Sequence, residues 1–313
     1  MFKRNFMAAL LLCSLVIAGT PNVSSVVFFD YIYDFTSDAN NDAGFAIKRV
    51  YFTVTDNLAD NLSYKLQTDI DSNNSPKNVY LKNAKVDWKT DLGKITLGLQ
   101  GMNVFSVQEK TWGYRFIEKS AMDRKKFSSS ADMGIGYANK FAQNILFSIL
   151  YTNGTGYKKS EDDSYKKISA QALIGQPKLS SKEGFNAGGV FTFEPYESDE
   201  TVTVFGLFGG FASAALRIGG EFDMLTDSGP DVTEQIISVY TVYKLSDKLQ
   251  TYGRIDIYDP NTDTDEDSEN YIIAGIHYSP VTGLIIAPNL RLVTPEEGDS
   301  ETFFQLNFQF KLK

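Results

Sequence analysis

The sequence has one cysteine, one histidine and two tryptophans, and beyond its first 18 residues no apolar run approaches the ~20 residues of a spanning helix. Cys13 lies in the first apolar segment, so the rest of the chain has no thiol and no disulfide framework. His277 stands in a strand-like segment without a nearby Ser-Asp arrangement, which leaves no constellation for nucleophilic catalysis. No glycine-rich phosphate loop precedes a helix, because no helical periodicity persists; Gly98, Gly134 and Gly136 read instead as relief of crowding between strands. Net positive charge is lacking too: the formal charge of -9 argues against nucleic acid and against direct attraction to anionic lipid. Asp263, Asp265 and Asp267 have the spacing that begins a calcium loop, yet no glycine makes the turn and Ala274 replaces the bidentate glutamate. The sequence therefore calls for no metal and no cofactor.

What is present begins with Lys3 and Arg4, followed by an uncharged apolar run from Phe6 to Ala18. This is the pattern of a secretory signal peptide, residues 1–18, with Val16 and Ala18 as the small residues before cleavage. Residues 19–313 then form one domain, with no linker or break in composition. The chain is rich in rings, with 23 phenylalanines and 17 tyrosines, which suits long β-structure carrying interfacial aromatics on its outside.

Period-two alternation recurs from Ser25 to the end and marks an all-β chain. Thr302, Phe304, Leu306, Phe308, Phe310 and Leu312 share one face of the last segment, and Gln305, Asn307, Gln309 and Lys311 the other. In 62–71, Leu62, Tyr64, Leu66, Thr68 and Ile70 oppose Ser63, Lys65, Gln67, Asp69 and Asp71. Charges opposite an apolar face belong in an aqueous lumen. The next segment puts Tyr80, Ala84, Val86 and Trp88 outward and Asn83, Lys85 and Asp87 inward, with Lys82 an outward exception that snorkels. Further segments start near residues 26, 45, 94, 131, 143, 166, 185, 202, 213, 234, 249, 271 and 284. Together these predict a transmembrane antiparallel β-barrel of about 16 strands. Gly206, Gly209 and Gly210 blur the alternation near Phe205. Short connections at 55–61, 90–93, 246–248 and 280–283 alternate with longer acidic ones at 160–164, 194–200, 226–233, 259–270 and 295–301, the periplasmic and external rims of an outer-membrane barrel.

Residues 101–130 are too long for a turn. They are net basic in an acidic chain: Lys110, Arg115, Lys119, Arg124, Lys125 and Lys126 stand against Glu109, Glu118 and Asp123. The spacing predicts a loop folded into the lumen as a constriction, with a structural cap or external flap as the alternative. Trp112, Tyr114 and Phe116 argue for order. On the strand reading, Lys65, Lys85, Lys167, Arg217, Arg254, Arg291 and Lys311 point inward among Asp69, Asp71, Asp87, Glu221, Asp223 and Asp256, a wall that pairs its own charges.

The runs FAIKRVYFTV, LSYKLQTDID, YLKNAKVDW and KITLGLQG, followed by the basic loop, resemble the porins of the phosphate-selective O and P group of Gram-negative bacteria. The resemblance covers Phe45 to Asn139. It implies a 16-stranded, trimeric outer-membrane porin with an inward loop and a ladder of cations that conducts anions; carried over, the loop cations are Lys110, Arg115, Lys119, Arg124, Lys125 and Lys126. The chain departs from the pattern in ending on Lys313 rather than an aromatic residue. The expected activity is passive diffusion of small hydrophilic solutes or ions, without enzymatic chemistry. Its partners are outer-membrane lipid and lipopolysaccharide, the latter bridged to the acidic rim by loosely held divalent ions. A structural or adhesion barrel with a plugged lumen is the rival reading. A soluble β-sandwich fails on the outward aromatics, which need a second sheet to cover them.

Overall fold

A computed structural model describes residues 20–36, 43–72, 76–142, 144–197 and 199–312; the expected signal peptide lies outside them. Sixteen antiparallel strands form one closed barrel, from β1 (Asn22–Asp34) to β16 (Glu301–Leu312), each pairing with the next in the chain. Closure joins β1 to β16, with Ser25 opposite Leu312 and Asp34 opposite Phe303. No backbone edge is left, which is what a sheet in hydrocarbon requires. Every alternating segment of the sequence becomes a strand, and Gly206, Gly209 and Gly210 remain inside one of them, Thr201–Ala212.

Alternation places the side chains as expected over most of the wall. Phe185, Phe191, Phe205, Leu207, Phe211 and Val239 are exposed on the outside, an apolar surface far larger than a protein in water carries but matched to acyl chains. Gln305, Asn307 and Gln309 of β16 are buried inside.

Two bulges break this rule and correct the sequence reading. In β4 (Asn78–Thr90) the register against β3 (Leu62–Asp71) runs Gln67↔Asn83 and then Thr68↔Leu81, so Lys82 is the extra residue. An added residue shifts the phase by one. Lys82 is therefore inside, not snorkelling, and Tyr80 is inside too, donating to Asp69 at 3.0 Å. Val79 and Leu81 take the outer face. In β2 (Ala43–Ala59) the register against β1 runs Phe28↔Arg49 and then Phe29↔Ile47, and both Lys48 and Arg49 face the interior. β2 also continues through Ala59, so the connection placed at 55–61 is a two-residue turn.

The connections alternate in length around the two rims, with two exceptions. The one expected at 226–233 shrinks to 228–231 because the flanking strands run on through Asp227 and from Val232, which makes it no longer than 245–248 on the other rim. Residues 176–183, on the tight-turn rim, are longer than a turn, and Leu179 among them is buried. The 102–130 segment runs from the opposite rim into the barrel. It contains two short helices that periodicity did not reveal, α1 (Ser106–Trp112) and α2 (Ala121–Lys125). Seven and five residues are too few to show a 3.6-residue repeat; their ends carry the signal instead. Gly113, at φ 76°, terminates α1 in the left-handed conformation. Ser120 starts α2, its hydroxyl accepting from the Asp123 amide.

Candidate functional site

The inward loop divides the lumen into a filled side and an open side. On the filled side, Trp112, Tyr114, Phe116 and Ile117 pack with Tyr240, Val242, Tyr252, Tyr271 and Ile273 of the wall. Met102, Val104, Phe105, Ala121, Met122 and Phe127 pack with Leu150, Val190, Val204 and Ile236. Trp112 sits edge-on to Tyr114, Tyr240 and Tyr252 at centroid distances of 5.2, 5.2 and 6.0 Å. His277 stacks on Tyr114 at 5.2 Å and serves as part of this packing.

Polar anchors complete the filled side. Arg291 donates to the Ile117 carbonyl at 2.6 Å and to Glu118 at 2.8 Å, and Tyr271 donates to the same carboxylate at 2.8 Å. Arg254 makes two 2.7 Å bonds to Asp256 and one of 2.5 Å to the Lys119 carbonyl. Arg217 donates to the Trp112 carbonyl at 3.0 Å. Arg124 lies 3.2 Å from Glu269 and 3.9 Å over the Tyr271 ring; Lys125 lies 3.0 Å from Glu269 and 3.9 Å over Tyr258. These cations hold the loop to the wall. Because the loop's own carbonyls and wall carboxylates satisfy them, little of their charge is left for a passing ion.

The loop spans almost the full height of the barrel. The Lys110 carbonyl at the end of α1 accepts from the Ser180 amide at 3.2 Å, and Asn186 donates to Thr111 at 2.9 Å and to the Gln176 carbonyl at 3.0 Å. The long 176–183 connection thus braces the deepest point of the loop from the other rim.

Among the described residues, two cavities lie between the loop and the wall, the first bounded by strands from β2 round to Lys167–Gly175 and the second by β1, β2, the end of β3, Leu284–Pro295 and β16. The first, of about 730 Å³, extends toward the tight-turn rim and is lined by Lys65, Lys82, Lys85, Lys94, Lys110 and Arg115, with Glu109 the one carboxylate. The second, of about 530 Å³, opens toward the long-loop rim. Its cations are Lys48, Arg49, Arg115, Lys119, Lys126, Lys158 and Arg291, against Asp30, Asp71 and Glu118. Arg115 lines both and marks where they meet. It bonds Glu109 of α1 and, at 2.6 Å, Asp123 of α2.

The lining residues expected from the sequence thus separate. Lys110, Arg115, Lys119, Lys126, Glu109, Lys65, Lys85, Glu118 and Arg291 line the cavities, whereas Arg124, Lys125 and Arg254 are taken up in anchoring. Arg217 lines a smaller cavity of about 320 Å³ at the tight-turn rim. Asp69 is buried beneath Arg49, 2.7 Å away, and Asp87 stands behind Lys85 and Lys94 at 2.8 and 3.5 Å. Lys48, Arg49, Lys82, Lys94 and Lys158 were not expected. The signal for three of them is a polar doublet within an apolar strand, Lys48-Arg49 and Lys82-Asn83: two adjacent polar residues cannot both face the lumen unless the strand bulges.

No protein-family model matches the sequence, and no curated protein matches it. Solved structures do. The anion-selective porin of Comamonas acidovorans superposes with a TM-score of 0.73 at 12% identity over 94% of this chain and 99% of that one. The fold is a porin fold. OprB of Pseudomonas putida gives 0.72 at 10% identity over 98% and 97%. OmpF of Salmonella typhi, in complex with daunomycin, gives 0.71 at 12% identity over 93% and 97%. At these identities the likeness establishes the architecture alone.

Proposed function

We propose that the chain is an outer-membrane porin through which small hydrophilic solutes diffuse, anions ahead of cations, and that residues 1–18 are the signal peptide that exports it. The observation that carries this reading is the segregation of charge inside the barrel: cations exceed carboxylates along both cavities while the chain as a whole is acidic. A water-filled passage lined by one sign of charge raises the local concentration of the opposite ion. The sequence runs in 45–139 and the basic loop support kinship with the phosphate-selective group. A comparable barrel described as an anion-selective porin supports the direction of selectivity. One described as the trimer form of Vibrio cholerae OmpT, with a TM-score of 0.68, supports a trimer.

A plugged adhesion barrel requires a filled interior, and the two cavities argue against it. Planar-bilayer recording of the purified protein tests the proposal. Stable conductance steps with a reversal potential on the anion side are expected; a protein that inserts into the bilayer and passes no current defeats it.

A further inference from the structure

The first cavity has two unlike walls. On the strand side stand the ammonium groups of Lys65, Lys82, Lys85 and Lys94. On the other side the wall carries no cation and is partly apolar: Leu146, Leu150 and Leu173 stand with Ser148 and Gln171 on the strands Ile145–Thr152 and Lys167–Gly175, and Met102, Phe105 and Val107 with Asn103 and Ser106 on the adjoining loop. Inward positions of a strand facing water are ordinarily polar. Here Val107 and Leu173 are buried against Phe208 and half-buried Leu146, which fixes α1 and leaves Leu146 as the apolar side chain that presents surface to the cavity.

The cationic wall is also incompletely neutralised. Lys85 and Lys94 share Asp87, and Lys82 bonds the Ser130 hydroxyl. Lys65 and Lys110 have neither an ion pair nor a side-chain hydrogen bond among the described residues. Burial pushes the Lys110 ammonium below its ordinary value; Glu109 opposes this, and Lys178, Lys94 and Lys85 add to it. Those three neighbours are the charges an anion would relieve.

We infer that this cavity is a subsite for an organic carboxylate with a small apolar body, an arene or short alkyl carboxylate, rather than for a fully hydrated inorganic anion. The carboxylate sits between Lys65 and Lys110, and the hydrocarbon part lies on Leu146. Inorganic phosphate finds the same cations but leaves Leu146 facing water, so it forgoes the hydrophobic contribution of roughly 25 cal/mol per Å² of apolar surface covered. The inference rests on the porin reading and deepens it.

Single-channel recording in potassium chloride separates the two. Benzoate, acetate and inorganic phosphate are added in turn, and interruption of the chloride current is titrated. Benzoate is expected to interrupt the current at concentrations at least tenfold below phosphate. Lys65→Gln and Lys110→Gln each weaken that effect several-fold. Leu146→Asn weakens the benzoate effect while leaving the chloride reversal potential unchanged, a result that a purely electrostatic site does not give. A conducting channel in which phosphate acts as strongly as benzoate, or in which neither acts, overturns the inference and leaves the porin reading standing. A protein that carries no chloride current defeats the porin reading itself.

Discussion

If the chain conducts ions as proposed, Arg115 is the side chain on which selectivity should turn, because it lines both cavities and is tied to Glu109 and Asp123. Replacing it with alanine strips the junction of a cation and leaves two carboxylates without it. We expect Arg115→Ala to shift the reversal potential toward cations, by more than Lys126→Ala at the wider end does. Arg124→Ala is expected to act differently: Arg124 is bound to Glu269 and Asp256, so its loss loosens the loop and shows as noisier steps with little change in mean selectivity. A second residue gives a pH effect. Burial pushes the Tyr157 phenol up, but the Lys82 ammonium 3.6 Å over its ring and the bond from Ser130 pull harder, and the net value falls to about 8. As pH rises through 8 this ring gains a negative charge beside the Lys82 ammonium. Anion preference should therefore decline between pH 7 and 9, and Tyr157→Phe should abolish the decline.

Among the elements, the inward loop has the most to lose from a single substitution. Trp112 is 1% exposed and meets three other rings. Trp112→Ala opens a cavity in the anchor at a cost of about 3–5 kcal/mol, and should lower the midpoint of thermal unfolding while raising unitary conductance as the loop gives way. How far such features could be read beforehand depends on what local pattern they leave. The strands leave a strong one, because lipid on one side and water on the other force every second residue apart, as in Gln305, Asn307 and Gln309 of β16. The loop was legible from its length, its basic residues and its rings. The bulges at Lys48 and Lys82 were not: a single added residue looks like an exception until the partner strand shows the slip in register. Nor could the sequence tell which inward cations would anchor and which would line the passage, since Arg254 and Lys65 occupy the same kind of strand position. Their difference lies in what the loop brings against them.

For the molecule as a whole, the acidic sequence and the basic lumen are reconciled by position. Asp263, Asp265, Glu266, Glu296, Glu297 and Asp299 are exposed on the long-loop rim, while the cations line the interior. Selectivity that arises from such a field is screened by salt. The Debye length falls from about 10 Å at 0.1 M to about 3 Å at 1 M, so the anion preference measured in 0.1 M potassium chloride should shrink markedly in 1 M. Selectivity that holds constant over this range would point to close contacts instead of the field. The seam between β1 and β16 has a further consequence. Ser25 and Leu312 stand side by side on the tight-turn rim, and the seam is an antiparallel strand pair like the others that close the ring. A circular permutant that links 312 to 22 through a short turn and is reopened in the exposed stretch 262–266 should reach the same cylinder, visible as unchanged heat-dependent migration in detergent gels. The order in which the strands are synthesised would then be incidental to the shape they reach.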